Sequence, residues 1–348
     1  MSAPVRFAIL SFAHYHANYW AEAINGSPDA ELVGVWDDDA ARGQSAADRH
    51  STAFEGDLGA LLARCDAVGI TSETARHADL VEAAARAGRH ILLEKPMAPT
   101  VAECDRIRRA VRESGVTFMQ NFPKRYDPVN QELVRRAQSG ELGTISLVRV
   151  RHGNYHLLEL GERVHDAWYG NPALSGGGAL IDEGIHAVDF LLWLLGDPAQ
   201  VYAVTANRTL GLPLEDTALV VLTFPSGTVA EIATSNVLVA AEGSIEVFGN
   251  RGSALLGGVD LASRDFARPP YLKVYHYGQA RGEWHGAETI PYFRQGNFHQ
   301  QGPLTFLRCL REGASPVISV DEGRKSLVIV EAAYRAARTG QAQPLDFA

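Results

Sequence analysis

The sequence predicts an α/β protein, in which a doubly wound parallel sheet precedes an α+β domain with an open, mainly antiparallel sheet. Two observations predict this class. Up to about residue 125, short apolar runs such as "VRFAIL", "ELVGVWD", "DAVGIT" and "HILLEKP" alternate with helical segments. Beyond that point, strands follow one another with only turn signals between them. We therefore expect one domain over residues 1–125 and a second over residues 126–348.

The helical segments of the first half carry start and stop signals. Thr100 and Glu103 form a capping box at the start of one helix, and Gly88 ends the helix before it. At the junction of the two expected domains, Asp127 is a suitable N-cap and Pro128 a suitable first helical residue. A helix between each pair of strands is the pattern of a parallel, doubly wound sheet.

The second half predicts strands at "TISLVRVRH", "VYAVTANRT", "TALVVLTF", "TVAEIATSN" and "SIEVFG". Turn signals such as "PSG" and "GNRG" separate some of these runs. One amphipathic helix interrupts them at about residues 183–195, and two more close the chain. Because short turns join antiparallel neighbours, we expect a mainly antiparallel sheet.

Composition excludes several classes of protein. The chain has 348 residues, of which 46% are hydrophobic, and a formal net charge of −9. This charge argues against a nucleic-acid partner, because phosphate binding needs a basic surface. Cys65, Cys104 and Cys309 fit no disulfide or metal framework and suit a reducing compartment. No apolar run approaches the roughly 20 residues that cross a bilayer, and no secretory signal is visible, so we expect a cytoplasmic protein without membrane contact.

The turn after the first strand, in "ILSFAHYHANYW", contains no glycine. In a doubly wound sheet, this turn and the following helix N-terminus offer N–H groups to a pyrophosphate, and glycines normally permit the close approach. Taken alone, the turn is weak support for a dinucleotide. Asp37, which ends the second strand about 25 residues further on, changes that balance.

Asp37 is placed to accept hydrogen bonds from the hydroxyls of an adenosine ribose. A 2′-phosphate would face the same carboxylate, and two charges about 4 Å apart at an effective dielectric near 20 repel by roughly 4 kcal/mol. The sequence therefore favours NAD over NADP. Asp38 and Asp39 fit a solvated acidic loop better.

Two further stretches contain charged and imidazole side chains that are candidates for a catalytic site. In "LLEKPMAPT", Glu94 and Lys95 end a buried strand, where a charged pair is costly without a partner or a task. A pair with solvent access at the strand end is the alternative. In "SGGGALIDEGIHAVD", Asp182 and His186 share one face of a helical turn, and Asp189 is spaced to reach the other ring nitrogen of the histidine.

The glycines at positions 176–178 would let a ligand approach the backbone. A carboxylate and an imidazole beside a lysine supply what alcohol oxidation needs, which is hydroxyl contacts and a base that titrates near neutral pH. An isolated Asp/His pair at this spacing is, however, common on helix surfaces.

Together these stretches resemble the Gfo/Idh/MocA oxidoreductases, the family of glucose-fructose oxidoreductase and inositol dehydrogenase. The resemblance runs from "ELVGVWD" through "KRYDP", "SGELG" and "EDTALVVLTFPSG" to "VISVDEGRKSLVIVEAAYRAARTG", nearly the whole chain. The Glu-Lys-Pro triplet and the Asp-x-x-x-His pair, in this order, are specific in combination.

The resemblance implies roles for individual residues. Lys95 matches the lysine that contacts the substrate hydroxyl and the nicotinamide, and Pro96 the proline, often cis, that shapes the turn. His186 matches the acid/base and Asp182 the carboxylate that binds substrate, which makes Lys95, Asp182 and His186 the catalytic candidates.

The resemblance also implies a Rossmann cofactor site. Ser11, Ala13 and His16 occupy the three glycine positions of the turn, and Ser72 and Glu73 replace the usual Pro-Asn of a later loop. The expected cofactor-binding residues are Ser11, Phe12, Ala13, His14, Asp37, Thr71, Ser72, His77, Glu94, Lys95 and Asn121.

Aromatic rings and imidazoles that precede the glycine run suit a sugar. His165 and Tyr169 are further candidates here, although several of these side chains would equally line a loop. His152, His156 and His165 lack a regular ligand spacing, so we expect no metal. The expected substrate-binding residues are Lys95, Tyr155, His156, Trp168, Asp182 and His186.

The resemblance therefore implies an NAD(P)-dependent oxidoreductase that acts on a sugar, polyol or inositol-like substrate, as a homodimer or homotetramer built through the second sheet. Two other functions use the same scaffold. One is a glycoside hydrolase that holds NAD tightly through an oxidation-elimination cycle, and the other is a ligand-sensing regulator without turnover.

Overall fold

The computed structural model describes residues 3–259, 267–278, 282–292 and 298–348. The chain divides into two compact units. The first comprises Met1–Pro123 and Asn297–Arg324, and the second Lys124–Gly296 and Lys325–Ala348. The predicted boundary falls after residue 125, and the first division of the chain falls after Pro123. That Asn297–Arg324 belongs to the first unit was not predicted.

The N-terminal part of the first unit alternates strands and helices as expected. Its strands form a parallel sheet in the order β2-β1-β3-β4-β5, which confirms the doubly wound sheet. The elements are β1 Val5–Leu10, α1 His16–Asn25, β2 Ala30–Trp36, α2 Ala40–His50, α3 Leu58–Arg64, β3 Ala67–Ile70, α4 His77–Arg86, β4 His90–Leu93, α5 Val101–Ser114 and β5 Phe118–Gln120.

The strand order reverses between β1 and β3, and ligands of such sheets bind at the carboxyl ends of the strands at this point. The chain here is held by hydrogen bonds between the two strand ends. Thr71 Oγ1 donates to the Ser11 carbonyl at 2.7 Å, and the Thr71 carbonyl accepts from His14 N–H at 2.9 Å. The two loops therefore form one connected edge.

Local signals explain where the helices begin and end. The hydroxyl of Thr100 accepts from Glu103 N–H at 3.3 Å and donates to the Glu103 carboxylate at 3.0 Å, which confirms the capping box. Asp127 accepts from Val129 N–H at 2.9 Å and so caps the helix that Pro128 begins.

In the second unit, a short helical region separates β6 from the later strands. Its elements are α6 Pro128–Gln138, β6 Ile145–Gly153, α7 His156–Leu160, α8 Pro172–Ser175, α9 Ile185–Leu195, β7 Gln200–Ala206, β8 Thr217–Thr223, β9 Val229–Ser235, β10 Ser244–Gly249, β11 Gly252–Gly257, β12 Leu272–His276 and β13 Trp284–Ala287. A π-helical turn, Leu180–Gly184, leads directly into α9, so the helix expected at about 183–195 has an irregular start.

The chain closes with α10 Gln301–Glu312, α11 Val320–Thr339 and β14 Gln343–Pro344. The strands of the second unit form one sheet in the order β13-β12-β11-β10-β6-β9-β8-β7-β14. The β6–β9 pair is parallel, and the other neighbouring pairs among the described residues are antiparallel. The open, mainly antiparallel sheet is thereby confirmed.

One face of this sheet is buried and the other carries exposed apolar side chains. On β7 and β8, Tyr202, Val204 and Leu219 are 40%, 52% and 44% exposed, and Val204 lies directly opposite Leu219. Among the described helices, none is both long and apolar enough to cross a membrane.

Candidate active site

The turn after β1 adopts a glycine-type backbone without glycine. Ser11, at the first glycine position of the expected motif, has a φ of 73°, in the left-handed region that costs an ordinary residue roughly 1–2 kcal/mol. Its hydroxyl accepts from Ala13 N–H at 3.2 Å. At this position the turn therefore has a backbone conformation that glycine adopts without strain.

The amide donors of this turn are engaged within the chain. Phe12 N–H donates to Asp37 Oδ2 at 2.8 Å, Ala13 N–H to the Ser11 hydroxyl, and His14 N–H to the Thr71 carbonyl. A pyrophosphate that uses these donors has to replace their present acceptors. The N–H groups of this turn are thus already occupied by acceptors within the chain.

Asp37, the residue expected to contact a ribose, directly follows β2 and lies beside the turn after β1. Its carboxylate also accepts from Asp39 N–H at 3.0 Å and from Arg42, whose Nε reaches Oδ2 at 2.9 Å and whose Nη2 reaches Oδ1 at 2.7 Å. Burial tends to raise the pKa of Asp37, but the hydrogen bonds from Arg42 and the amides of Phe12 and Asp39 outweigh it and hold the pKa below its ordinary value.

The surroundings of Asp37 are acidic overall. Arg42 also contacts Asp38 at 3.1 Å and Glu73 at 3.3 Å, and Arg76 contacts Asp38 at 2.7 Å. Three carboxylates face two guanidiniums, which leaves one net negative charge. These carboxylates follow β2 and β3 and can accept hydrogen bonds from hydroxyl groups.

His77 connects the loop after β3 with the turn after β4. Its Nδ1 lies 2.9 Å from the Pro96 carbonyl and its Nε2 lies 3.2 Å from the Ser72 carbonyl. Burial lowers the pKa of His77, against the opposing effect of these carbonyls. The Lys95–Pro96 peptide bond is cis.

Glu94 and Lys95 follow β4 and are buried, 1% and 4% exposed, so the alternative of a solvent-accessible pair does not apply. The Glu94 carboxylate has three hydrogen-bonding partners from different parts of the first unit. Oε1 accepts from Lys95 N–H at 2.9 Å, and Oε2 accepts from Asn121 Nδ2 at 3.0 Å and lies 3.1 Å from His16 Nδ1.

His16, at the third glycine position, is the first residue of α1 and is buried, 2% exposed. Its ring packs on that of His299, with centroids 3.8 Å apart, and its N–H donates to His14 Nδ1 at 3.2 Å. Burial, reinforced by the nearby His16, lowers the pKa of His14 well below its usual range. The His14 ring is therefore neutral and faces the interior.

In the second unit, the π-helical turn carries Asp182, and His186 follows on the first turn of α9. His186 is buried against His152, with ring centroids 5.1 Å apart at 69°, and His152 Nε2 lies 3.2 Å from the Glu183 carboxylate. π-Helical turns often occur at functional sites. Lys124, Asn130, His152, His186 and Phe190 line a small pocket here.

Asp189, expected to reach His186, has a partner that the sequence did not indicate. Arg125 donates from Nε to Oδ2 at 2.9 Å and from Nη2 to Oδ1 at 2.8 Å, and both side chains are buried. A bidentate pair of this kind fixes the position of α9 relative to the segment that precedes α6.

At two positions of the glycine run 176–178, the space beside the glycine is filled by other residues of this chain. A Cβ at Gly177 would collide with the Tyr334 hydroxyl, and one at Gly178 with the Glu215 carbonyl. The Glu215 carboxylate accepts from Gly178 N–H at 3.1 Å, Leu180 N–H at 2.9 Å and the Tyr334 hydroxyl at 2.7 Å. Glu215, which sequence reasoning missed, thus supports the turn that carries Asp182, and burial raises its pKa.

The aromatic and histidine candidates occupy α7 and the turns after it. Trp168 and Tyr169 stack with centroids 3.8 Å apart. Tyr155 is half-buried, whereas His156 and His165 are exposed, and His156 Nδ1 lies 3.9 Å from the Glu159 carboxylate. Their contact with substrate remains a prediction.

Comparison with known families assigns both halves of the chain. Residues 5–122 match the model of an oxidoreductase family with an NAD-binding Rossmann fold, and residues 130–255 match the GFO/IDH/MocA C-terminal domain. The chain belongs to the Gfo/Idh/MocA oxidoreductase family. The family expected from the Glu-Lys-Pro and Asp-x-x-x-His motifs is thereby confirmed.

Members of the Gfo/Idh/MocA family resemble this chain over most of its length. The uncharacterized oxidoreductase YrbE of Bacillus subtilis is 31% identical, over 81% of this chain and 84% of that protein. The scyllo-inositol 2-dehydrogenase (NAD(+)) of the same organism is 27% identical, over 99% and 98%. The WlbA dehydrogenase of Bordetella pertussis, solved with NADH and UDP-GlcNAcA, is 27% identical over 99% of each chain, with a TM-score of 0.83.

Proposed function

We propose that this chain is an NAD-dependent dehydrogenase or reductase that interconverts a hydroxyl and a carbonyl carbon of a sugar, polyol or inositol-like substrate. The observation that carries the proposal is the Glu94–Lys95–Pro96 triplet at the carboxyl end of β4. Three hydrogen-bonding groups meet the Glu94 carboxylate, so the backbone of Lys95 is held in place before any ligand binds.

NAD is the cofactor that the first unit favours. Asp37 and its acidic neighbours Asp38 and Glu73 face the ribose position, where a 2′-phosphate meets a net negative charge. Ser11, Phe12, Ala13 and His14 on the first turn, and Thr71, Ser72, His77 and Asn121 on the neighbouring strand ends, would hold the rest of the molecule. When bound, NAD supplies the hydride acceptor of the reaction.

The catalytic roles follow from the family motifs. His186 takes the proton of the substrate hydroxyl as the carbinol carbon loses its hydride, so the alcohol becomes a carbonyl and one proton stays on the imidazole. In the reductive direction, His186 returns this proton to the oxygen. Lys95 donates a hydrogen bond to the same oxygen, and Asp182 accepts from a substrate hydroxyl and orients the histidine.

The substrate class rests on relatives and on side-chain chemistry. One full-length relative is named a scyllo-inositol 2-dehydrogenase, and one solved relative was crystallised with UDP-GlcNAcA. Tyr155, His156 and Trp168 offer aromatic faces and an imidazole, which suit the apolar and hydroxylated surfaces of a sugar ring.

The protein is proposed to assemble through the second sheet. Tyr202, Val204 and Leu219 expose apolar surface on neighbouring strands, and Arg149 pairs with Glu231 on the outer side of the same sheet, at 3.2 Å. An apolar stripe flanked by charges is typical of an interface between copies.

A panel of polyols, inositols and aldoses with NAD or NADP, followed at the nicotinamide absorbance, tests the proposed function. We expect NADH formation with at least one member of the panel and a preference for NAD. Cleavage of an aryl glycoside without net NADH would indicate the hydrolase instead. Saturable binding of NAD and sugars with no turnover would indicate the regulator.

A further inference from the structure

Two histidines and one glutamate of the first unit bring their side chains together. His14 lies in the turn after β1, His16 begins α1 and Glu94 follows β4. All three are buried, and each has one possible metal-ligand atom that lies within 4.8 Å of those of the other two. None of them takes part in the proton transfer proposed above, so the cluster calls for an explanation of its own.

We propose that His14, His16 and Glu94 bind one transition-metal ion of the Zn²⁺ or Co²⁺ type. Two imidazoles and one carboxylate are a donor set that zinc and non-haem iron sites use. Donor atoms on a tetrahedral zinc ion lie about 3.4 Å apart, since each bond is about 2.1 Å long. His16 Nδ1 and Glu94 Oε2 are already 3.1 Å apart.

The charges of the cluster determine the class of metal. Glu94 is the only carboxylate of the three ligands, and the N-terminus of α1 adds partial positive charge. Mg²⁺ and Ca²⁺ need several oxygen ligands, which this set does not supply. Ions that bind neutral imidazole strongly are therefore the expected occupants.

Neighbouring backbone and side-chain groups hold the ligands in position. Asn121 Nδ2 and Lys95 N–H donate to the Glu94 carboxylate at 3.0 and 2.9 Å, and the His299 ring packs on His16. Outer hydrogen bonds of this kind orient metal ligands. They leave Glu94 with lone pairs for an ion, because a carboxylate has about four.

Metal binding would replace two contacts present without it. The ion takes the place of the hydrogen bond from His16 N–H to His14 Nδ1 and of the contact between His16 Nδ1 and Glu94 Oε2. Each neutral ring coordinates through one nitrogen and keeps its proton on the other, so no proton is gained or lost. The ion would connect the first turn to the Glu-Lys-Pro triplet, at the position where the family motif has its third glycine.

The full chain, produced without a polyhistidine tag and stripped of metal by dialysis against a chelator, tests this site. Co²⁺ is titrated in while its visible d–d absorption is recorded, and calorimetry with Zn²⁺ gives the stoichiometry. Glu94→Gln keeps the shape of the carboxylate, His14→Ala removes one ligand, and His285→Ala, an exposed histidine of the second unit, is the matched control.

We expect one ion per chain, a rise in the melting temperature with Zn²⁺, and no competition from Mg²⁺. Affinity should fall by at least about tenfold in Glu94→Gln and His14→Ala and stay unchanged in His285→Ala. No uptake by the wild-type chain at millimolar Co²⁺, wild-type affinity in both Glu94→Gln and His14→Ala, or loss of binding in His285→Ala would each overturn the site. The wild-type titration decides the matter even if a variant fails to fold.

Discussion

Arg42 donates two hydrogen bonds to the carboxylate of Asp37, from Nε to Oδ2 at 2.9 Å and from Nη2 to Oδ1 at 2.7 Å. The Asp37 side chain has no exposed surface, whereas that of Arg42 is 28% exposed. The guanidinium therefore keeps the carboxylate ionised and holds it against the first turn. It also contacts Asp38 at 3.1 Å and Glu73 at 3.3 Å.

Replacing Asp37 with Ala should change the choice of cofactor. The substitution removes the carboxylate and leaves Arg42 and Arg76 at the ribose position, so a 2′-phosphate is no longer repelled. We expect the ratio of kcat/KM for NAD to that for NADP to fall about tenfold or more, or about 1.4 kcal/mol of discrimination. Steady-state kinetics with both cofactors measure this ratio.

Asp48→Asn serves as the control for this change, because Asp48 lies on α2, the helix of Arg42, is exposed, and its carboxylate accepts from Gln44 at 2.9 Å. Its cofactor ratio should match that of the wild type. An Asp37→Ala protein with an unchanged ratio would show that this carboxylate does not select the cofactor.

The left-handed backbone of Ser11 gives a prediction about stability. Ser11→Gly and Ser11→Ala both remove the hydroxyl that accepts from Ala13 N–H and Arg42 Nη2. Only glycine adopts a φ near 73° without strain. We therefore expect the glycine variant to be more stable than the alanine variant by about 1 kcal/mol, measured by urea unfolding. The opposite order, which holds in ordinary helices, would mean that Ser11 does not have this backbone conformation in solution.

His77 should make stability depend on pH. Burial lowers its pKa from the ordinary 6.5, so as the pH falls through that value the unfolded chain binds a proton that the folded chain does not. The contribution of neutral His77 to the free energy of unfolding is fully retained above that pH. It is lost below that pH, by up to about 1.4 kcal/mol per pH unit. Urea unfolding between about pH 7.5 and about pH 5.5 should show a smaller decline for His77→Gln than for the wild type. Equal declines would mean that His77 is protonated in the folded state.

The apolar face of the second sheet predicts the assembly state. Leu219→Glu places a charge on the exposed stripe opposite Val204, where burial in an interface would leave it without a partner. We expect light scattering after size exclusion to give a dimer or larger for the wild type and a smaller species for the variant. A wild-type monomer at high concentration would refute the proposed interface. Lys273→Glu, at an exposed position of β12 far from β7 and β8 in the strand order, is the matched surface control.

The fold could be predicted from the sequence because the signals that determine its elements are local. The spacing of apolar residues, the Thr100–Glu103 capping box and Asp127 before Pro128 act over a few residues, and the structure reproduces each of them. The return of residues 297–324 to the first unit has no such signal, because it depends on which surface a later helix covers.

The contacts around the candidate site could be predicted less well, since they join residues that are distant in the sequence. Glu94 is 78 residues from His16, and Glu215 is 119 residues from Tyr334. The glycine run illustrates the consequence, because a requirement for space is visible in the sequence but the group that fills it is not. Arg42 is only five residues from Asp37, so this contact joins residues that are close in the sequence.

The central claim is that His186 is the acid/base of a hydride transfer between NAD and a sugar or polyol. It is tested most directly by the turnover of His186→Ala, beside His285→Ala, on the best substrate of the panel. The account predicts a 10²–10⁴-fold fall in kcat for His186→Ala, with the Kd of NAD unchanged and His285→Ala like the wild type. A kcat for His186→Ala equal to that of the wild type would contradict the assignment.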